Sequence, residues 1–397
     1  MKFYQHYMRA LAFAVIAFVI TGCGSSNGPA ITSSNFEDIA SNPYEIHVVS
    51  TTKAYILRYG SPSIWIVDPS VNAADEENFK IGEINLSTYD SDRVPNMASG
   101  VVVGGVLYVV MQVMDDDFVP GQAYLAAIDT ATDTELSIGA GPKQGLALTV
   151  VNPVDIDVAD DALLVTGVGR YGSSFATPPR ETEYTGGIEK ISLADYSSEL
   201  LIDDGDASTH PYGQINGLTV ISDTQAYFTG YAAWQDIGLY EFNPTTGTVT
   251  NTVLSGENIT TIAASPEGYL WLGFGEFGAP EIQILDPADN TEVDIIETDN
   301  NISQIFFSGS LSLMGSCDFC AVLVGVAQDY GSSDISIANA ESPYDIDQGY
   351  AAQDLSDIVG GVGGEFFYRL GRSSQHNITQ YRFDNPMVPQ WQFSTNP

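Results

Sequence analysis

Residues 107–135 read LYVVMQVMDDDFVPGQAYLAAIDTATDTE, and this stretch decides the fold. It contains two runs rich in Val, Leu, Tyr and Ile, which are separated by an acidic loop with Pro and Gly. Short β-rich runs bounded by Gly, Pro, Asn and Asp are typical of strands. The second run ends in an Asp turn and a Thr-rich segment. We therefore predict the second and third strands of a four-stranded unit here.

The third strand of this unit recurs along the chain, each time ending in an Asp or Asn turn. The seven copies are IWIVDPS (64–70), LAAIDTATDTE (125–135), EKISLADYSSE (189–199), LYEFNPTTGTV (239–249), IQILDPADNTEV (282–293), ISIANAESP (335–343) and TQYRFDNPM (379–387). Several first strands share an opening, as in NPYEI (42–46), VPNMA (94–98), NPVDI (152–156) and HPYGQI (210–215). Repeats of about 40 to 50 residues indicate a propeller or a solenoid.

A ring of blades suits these repeats better than a solenoid, because stacked sheets bury both faces and the ring closes on itself. We predict an all-β chain with a single β-propeller of about seven four-stranded blades over residues 41–395. Six or eight blades stay open because of an insertion at 171–187 and an irregular stretch at 338–357. The unit resembles the YVTN or YncE-like β-propellers, a broad group of exported bacterial proteins, best at 107–135. That resemblance implies architecture and says little about function.

The N-terminus has the layout of a secretory signal. Lys2 and Arg9 precede an uncharged apolar run at 10–20, which is too short to span a bilayer as a helix. Ile20-Thr21-Gly22-Cys23 resembles the lipobox of bacterial lipoproteins. The resemblance implies a signal peptide at 1–22, a lipidated Cys23 and a flexible tether at 23–40. Gly24 after the cysteine implies sorting to the outer membrane, with the membrane side left open. An ordinary signal cut near Gly22 is the alternative.

The composition excludes some partners. The chain has 51 acidic and 13 basic residues, for a net charge of −38. Binding to nucleic acid or to an anionic membrane surface needs the opposite sign, so we exclude both. The acidic loops indicate a solvated surface, with calcium binding as the alternative. Hydrophobic residues make up 44% of the chain, which is enough for a core. We expect a monomer held to the membrane by its lipid.

Cys317 and Cys320 form a CDFC motif in a turn between two β-rich runs. An exported protein meets an oxidising compartment, which favours a local structural disulfide. Free thiols and a metal site are the alternatives. The mature chain offers His47, His210 and His376 as further metal ligands, and none of them lies near the cysteines in sequence.

No catalytic residue is predicted, because the sequence has no G-x-S-x-G motif and its histidines are isolated. First strands line the channel of a propeller, so polar residues near their starts could hold calcium. The candidate ligands are Glu45, Asn96, Asp155, Asn216, Ser303 and Asp345. The alternative is an ordinary polar channel filled with water. No cofactor is certain, and Ca²⁺ is the candidate.

Aromatic residues on the long connections suggest a binding surface for a protein or a glycan, with packing at blade edges as the alternative. The candidates on which we settle are Tyr231, Trp234 and Phe277. The leading hypothesis is therefore a lipid-anchored cell-envelope propeller that acts as a non-enzymatic binding or scaffold module. The rival hypothesis is a calcium-dependent hydrolase or lactonase with its metal in the central channel.

Overall fold

The computed structural model describes residues 40–173, 179–233, 235–275, 279–308, 319–353, 357–372 and 375–397. Within these ranges the chain is almost entirely β-structure, and the helical elements are two 3-10 turns, Glu76–Asn78 and Ser87–Tyr89. No helix in these ranges is long and apolar enough to cross a membrane.

The strands form seven antiparallel sheets in chain order, which we number as blades 1 to 7. Blade 1 contains β1 (Pro43–Ser50), β2 (Lys53–Arg58), β3 (Ser63–Val67) and β4 (Lys80–Asn85). Blade 2 contains β5 (Met97–Val103), β6 (Val106–Met111), β7 (Tyr124–Asp129) and β8 (Thr134–Leu136), with β9 (Leu146–Ala147) also pairing with β7. Blade 3 contains β10 (Pro153–Ala159), β11 (Ala162–Gly167), β12 (Gly187–Ser192) and β13 (Ser198–Asp203). Blade 4 contains β14 (Gln214–Ser222), β15 (Gln225–Ala233), β16 (Asp236–Phe242) and β17 (Val249–Glu257).

The remaining three blades have the same order. Blade 5 contains β18 (Ile259–Ala264), β19 (Leu270–Phe274), β20 (Glu281–Asp286) and β21 (Thr291–Glu297). Blade 6 contains β22 (Asn301–Phe307), β23 (Cys320–Val326), β24 (Ser333–Asn339) and β25 (Ile346–Gln353). Blade 7 contains β26 (Ile358–Gly363), β27 (Phe366–Gly371), β28 (Asn377–Arg382) and β29 (Asn385–Ser394). The predicted all-β propeller with seven four-stranded blades is confirmed, and each of the seven sequence copies is the third strand of one blade.

The apolar core lies between the blades and is centred on their second strands. Every residue of β11 is buried, whereas β13, the fourth strand of the same blade, is mostly exposed. Leu164 of β11 packs with Ile215 and Phe228 of the next blade in one apolar cluster. Second strands are therefore mostly apolar, because both of their faces are covered.

The ring closes where blade 7 meets blade 1, and neither blade takes a strand from the other. An apolar cluster joins them, including Trp65 of β3 and Trp391 of β29. The Nε1–H of Trp391 donates to the Pro69 carbonyl at 3.2 Å. The buried Arg58 donates through Nε to the Thr395 carbonyl at 3.0 Å. Closure thus depends on packing and a few buried hydrogen bonds.

The shared opening of the first strands has a backbone cause. Asn42, Asn96 and Asn152 precede β1, β5 and β10 with φ of 44°, 55° and 57°, in the left-handed region that Asn tolerates better than most residues. The Asn42 carbonyl accepts a hydrogen bond from Tyr59 N–H, just after β2. Asn96 and Asn152 make the equivalent bonds in blades 2 and 3. The Asn therefore starts the first strand and ties it to the end of the second.

The disc has two unlike faces. Because neighbouring strands are antiparallel, first strands begin and second strands end at the same face, which we call the loop face. Its connections include 112–123 in blade 2 and 168–186 in blade 3, the latter containing most of the predicted insertion. The opposite face has tight turns such as 104–105 and 160–161.

Candidate functional site

Glu45 and His47 lie on the face of β1 that is turned toward blade 2, because side chains two residues apart share one face of a strand. Glu45 Oε2 accepts a hydrogen bond from Gly100 N–H of β5 at 2.8 Å, and His47 Nε2 lies 3.0 Å from the same oxygen. A Cβ at Gly100 would lie 2.8 Å from the Tyr108 carbonyl oxygen and 3.0 Å from His47 Nε2. Glycine is therefore needed at position 100, where β1 and β5 approach each other closely.

Asp155 and Asp157 repeat this arrangement between blades 3 and 4. Asp155 Oδ2 accepts from Leu218 N–H of β14 at 3.3 Å, and Asp157 Oδ2 accepts from Val220 N–H at 2.9 Å. The other oxygen of each carboxylate accepts the N–H of the following residue on its own strand. These carboxylates therefore join neighbouring first strands around the channel.

The channel environment makes these acids difficult to ionise. Burial raises the pKa of Asp155 to about 7, and the negative charges of Asp157 and Glu45 contribute in the same direction. Burial also raises the pKa of Asp157. The carboxylate of Glu45 on blade 1 is thus close enough to Asp155 on blade 3 to disfavour its ionisation, and Asp155 can hold a proton near neutral pH.

Most of the predicted calcium ligands lie at first strands, as expected. Glu45, Asp155, Asn216 and Ser303 are on β1, β10, β14 and β22, and Asn96 directly precedes β5. Their oxygens are engaged in hydrogen bonds: Asn96 Oδ1 accepts from Met114 N–H at 2.8 Å and Asn216 Oδ1 accepts from the Thr229 hydroxyl at 2.8 Å. Ser303 donates to the Val324 carbonyl at 3.2 Å.

The expected position of Asp345 near a first strand is wrong. Asp345 precedes β25, the outermost strand of blade 6, and lines an outer groove of about 430 Å³ with Asp347 and Tyr350. The segment after β24 continues into the fourth strand of blade 6, and the first strand of blade 7 begins only at Ile358. Among the described residues, no group of three or more His, Cys, Asp or Glu side chains could hold a metal ion. The calcium site stays a prediction.

The described parts of the long connection of blade 3, 168–173 and 179–186, pair with each other and contact blade 2. Isolated bridges join Arg170 to Glu183 and Ser173 to Arg180. Arg170 donates through Nε to the Pro120 carbonyl at 3.3 Å, which lies in the loop of blade 2. The loop of blade 2 (112–123) and the described parts of this connection (168–173 and 179–186) therefore make one wall on the loop face.

An aromatic pair includes one residue of this wall. Tyr184 stacks on His210, which belongs to the connection into blade 4, with ring centroids 4.2 Å apart and planes 8° from parallel. The fully buried Asp204 accepts Gly186 N–H at 3.2 Å through one oxygen, and its other oxygen has no hydrogen-bond partner in the described structure. Burial raises the pKa of Asp204 to about 7. The pair and the buried carboxyl group make a small polar and aromatic site.

Tyr231, a predicted binding-face residue, lies near the end of β15, the second strand of blade 4, at the same face. Burial raises the pKa of Tyr171, and Tyr231 contributes in the same direction. Trp234 and Phe277 lie outside the described residues. Sequence reasoning missed His210 and Asp204 as partners of Tyr184. The contact joins the loops of two blades, and no spacing of residues in the sequence predicts it.

A second cluster lies where blades 7 and 1 meet on the loop face. Tyr44 and Tyr59 stack with centroids 4.6 Å apart. The Arg372 guanidinium lies 4.2 Å from the Tyr44 ring centroid and pairs with Asp357 at 3.1 Å. This set was also missed, because Tyr44 and Arg372 lie at opposite ends of the propeller sequence.

Cys320 begins β23 and is disulfide-bonded. Cys317 and Cys23 lie outside the described residues, so the Cys317–Cys320 pairing and the lipidation of Cys23 stay predictions. The predicted signal peptide and nearly all of the tether lie outside these residues as well.

No protein-family model and no curated protein matches the chain. Among solved structures, it is similar to KlAtg21 in complex with the coiled coil of AgAtg16, with a TM-score of 0.52, 10% identity and coverage of 86% of this chain and 94% of the other. It is also similar to a streptogramin B lyase, with a TM-score of 0.49, 15% identity and coverage of 84% and 92%. Virginiamycin B lyase from Staphylococcus aureus gives a TM-score of 0.45, 14% identity and coverage of 83% and 91%. At these identities the likeness shows the fold alone. The chain is a seven-bladed β-propeller.

Proposed function

We propose that the protein is a lipid-anchored binding or scaffold module of the bacterial outer membrane, which holds a protein or glycan partner on its loop face. The observation that carries the proposal is the site at blades 3 and 4. There, Tyr184 of the wall formed by 112–123, 168–173 and 179–186 stacks on His210 of the connection into blade 4. Long loops on a rigid scaffold are where propellers place binding residues.

The residue types around this site support recognition rather than chemistry. Tyrosines combine a large apolar ring with a polar hydroxyl and are enriched in interfaces. The neighbouring loops carry Asp115–Asp117 and Asp206, and Asp203 ends β13 at the same face, in a chain of net charge −38. A partner that is neutral or basic at its contact surface fits this charge, and a polyanion does not.

The loop-face proposal is tested by comparing capture by three forms of the protein from solubilised outer membranes and on a glycan array. The forms are the wild type, a Tyr184→Ala/Tyr231→Ala double variant, and a Tyr196→Ala control. Tyr196 lies in the turn between β12 and β13 on the opposite face. The double variant should lose the partner while the control keeps it. Equal capture by the wild type and the double variant would exclude this face.

The anchor is supported by the lipobox resemblance at 20–23 and by the polar tether that follows it. Several acyl chains on one residue hold a protein firmly, whereas one gives only marginal binding. Cys23→Ser should therefore release the protein from the membrane fraction or stop its processing. A correctly processed Cys23→Ser protein that remains in the membrane would refute the anchor.

The rival function, a calcium-dependent hydrolase, rests on one observation, the repulsion that the charges of Asp157 and Glu45 exert on Asp155 in the channel. A bound divalent cation would relieve their repulsion and stabilise the fold. Calcium should then raise the melting temperature of the wild type and have little effect on Asp155→Asn. No difference between the two proteins in calcium would remove the support for this alternative.

A further inference from the structure

The outer groove of about 430 Å³ lies where the rims of blades 6 and 7 meet. Its blade 6 side is formed by β24, by β25 and by the segment between them. Its blade 7 side is formed by residues 383–386, around the turn between β28 and β29. The volume is within the range of small-molecule pockets, about 300 to 1,000 Å³. The groove contains no residue of the loop-face site, so the two sites are separate.

An irregular pairing of strands gives the groove its lining. Asp347 of β25 lies opposite Ile337 of β24, and Tyr350 lies opposite Ile335, with a register shift between the two pairs. Residues that lie opposite each other share a face of the sheet, so Asp347 and Tyr350 lie on one face although they are three residues apart. The Tyr350 hydroxyl donates a hydrogen bond to Asp347. Ile335 packs with Phe383 of blade 7, so this face is turned toward blade 7.

The floor of the groove is apolar, and apolar surface is exposed at its edge. Phe383 is buried, and Ile337 packs against the same apolar cluster. Pro386 lines the blade 7 side, and the two residues that follow it, Met387 and Val388, are 72% and 50% exposed. Exposed apolar surface beside a groove is typical of a binding site. A ligand with an apolar body would remove this surface from water.

The rim of the groove is acidic. Among the described residues that line it, three are acidic (Asp345, Asp347 and Asp384) and none is basic. Arg382 pairs with Asp384 at 2.9 Å and also with Glu365 at 2.6 Å, so its charge is already more than balanced. Asp345 and Asp347 are exposed and belong to none of the ion pairs in the described structure. Two carboxylates of the rim therefore have no cationic partner.

The surroundings of the groove also attract cations. The sequence has no lysine or arginine from residue 191 to residue 368, a range that contains blades 4, 5 and 6. A region with acids and without bases raises the local concentration of cations. A metal ion fits the groove poorly, because no group of three or more His, Cys, Asp or Glu side chains there, or elsewhere in the described chain, could hold one. Carboxylates above an apolar floor fit an organic cation better.

We propose that the outer groove binds a small organic cation, an ammonium group attached to an apolar or aromatic body, independently of the loop-face partner. The carboxylates of Asp345 and Asp347 pair with the ammonium group, and the apolar body lies on Ile337 and Phe383. The Tyr350 ring adds an aromatic surface, which attracts cations through its π electrons. Because the two carboxylates are exposed, we expect a dissociation constant of about 1 mM.

The test is a calorimetric titration of the full protein with 2-phenylethylamine, in a buffer of low ionic strength because salt screens exposed charges. Methylamine has the charge without the apolar body, and 2-phenylethanol has the body without the charge. Each of these two should bind at least about tenfold more weakly than 2-phenylethylamine. Equal affinity for methylamine and 2-phenylethylamine would overturn the proposal, since charge alone would then explain binding.

Three matched variants locate the site. Asp345→Asn and Asp347→Asn remove one rim charge each, and Asp223→Asn removes the same charge from an exposed turn of blade 4. Each rim variant should weaken 2-phenylethylamine binding by about fivefold, with Asp223→Asn within about twofold of the wild type. Absence of binding at about 50 mM amine, or equal weakening by all three variants, would overturn the proposal. If Asp347→Asn disturbs β25, the comparison of Asp345→Asn with Asp223→Asn still decides the question.

Discussion

Asp155 lies between two first strands of the ring and accepts a hydrogen bond from a backbone N–H group of each. These hydrogen bonds favour the ionised form, whereas burial and the charges of Asp157 and Glu45 disfavour it more strongly. The carboxyl group therefore joins the blades, and the free energy that its burial costs the folded state depends on pH.

The sign of that dependence follows from the raised pKa. Below about pH 4 the carboxyl group of Asp155 is protonated in both the folded and the unfolded chain, and its ionisation costs the fold nothing. As the pH rises from about 4 to 7, the unfolded chain ionises first, and the free energy of unfolding falls. Above about 7 both states are ionised and the loss is complete.

Asp155→Asn should consequently raise the free energy of unfolding at pH 8 by about 2 kcal/mol and leave it nearly unchanged at pH 4. Asn keeps an oxygen that can accept the Leu218 N–H. Urea unfolding at both pH values measures the effect, and Asp160→Asn, an exposed position in the next turn, is the control. A variant that loses stability at pH 8 would show that the ionised carboxylate is worth more as an acceptor than it costs in repulsion.

Asn152 shows how a single position can require a particular backbone conformation. Its φ of 57° is left-handed, and its side chain donates to the Gly169 carbonyl at 3.3 Å. Asn152→Ala should destabilise the protein by about 1 kcal/mol, because Ala tolerates this conformation poorly. Asn152→Gly should cost less, since glycine adopts positive φ freely. Chemical denaturation of the pair distinguishes conformation from the lost hydrogen bond: equal losses would assign the whole effect to the amide.

At the scale of elements, the position of a strand within its blade decides its burial. Leu164 on the second strand of blade 3 is fully buried, whereas Leu200 on the fourth strand is 38% exposed. Leu164→Ala should lower the free energy of unfolding by about 3 kcal/mol, and Leu200→Ala by less than about 1 kcal/mol. Thermal and urea unfolding of the two variants compares the same side-chain change in two strands. Similar costs would contradict a core built around second strands.

The strands were predictable for the same physical reason. Buried second strands are mostly apolar, and third strands end in Asp or Asn turns, so both patterns recur in the sequence once per blade. The Asn before several first strands is visible because few residues tolerate its backbone conformation. Local chemistry therefore sufficed for the architecture and for a count of about seven blades, and the structure shows that there are seven.

The site was less predictable because its contacts are not local. The prediction for Asp345 is wrong because the sequence around a polar residue between two strands does not show whether the next strand is the fourth of the same blade or the first of the next blade. Tyr184 meets His210 only when two blades pack side by side, and Trp65 meets Arg58 and Lys80 only within a folded blade. The repeats indicate the order of the strands, but they do not indicate which side chains from different copies are in contact.

At the scale of the whole molecule, charge opposes compactness. A net charge of −38 is distributed over all blades, and the described ion pairs involve only a few of the acids. Self-repulsion is greater in the folded disc than in the expanded chain, because the charges lie closer together. Added salt screens this repulsion, with the Debye length falling from about 30 Å at 0.01 M to about 10 Å at 0.1 M.

We therefore expect the melting temperature at pH 7.5 to rise by several degrees between 10 mM and 500 mM NaCl. The same comparison near pH 4.1, where the net charge is close to zero, serves as the internal control and should show almost no effect. Differential scanning calorimetry at the four conditions measures both. A salt effect of equal size at both pH values would assign the stabilisation to a general effect of salt on apolar burial. Only a pH-dependent effect identifies repulsion among the 51 acids as a force that the seven blade interfaces must overcome.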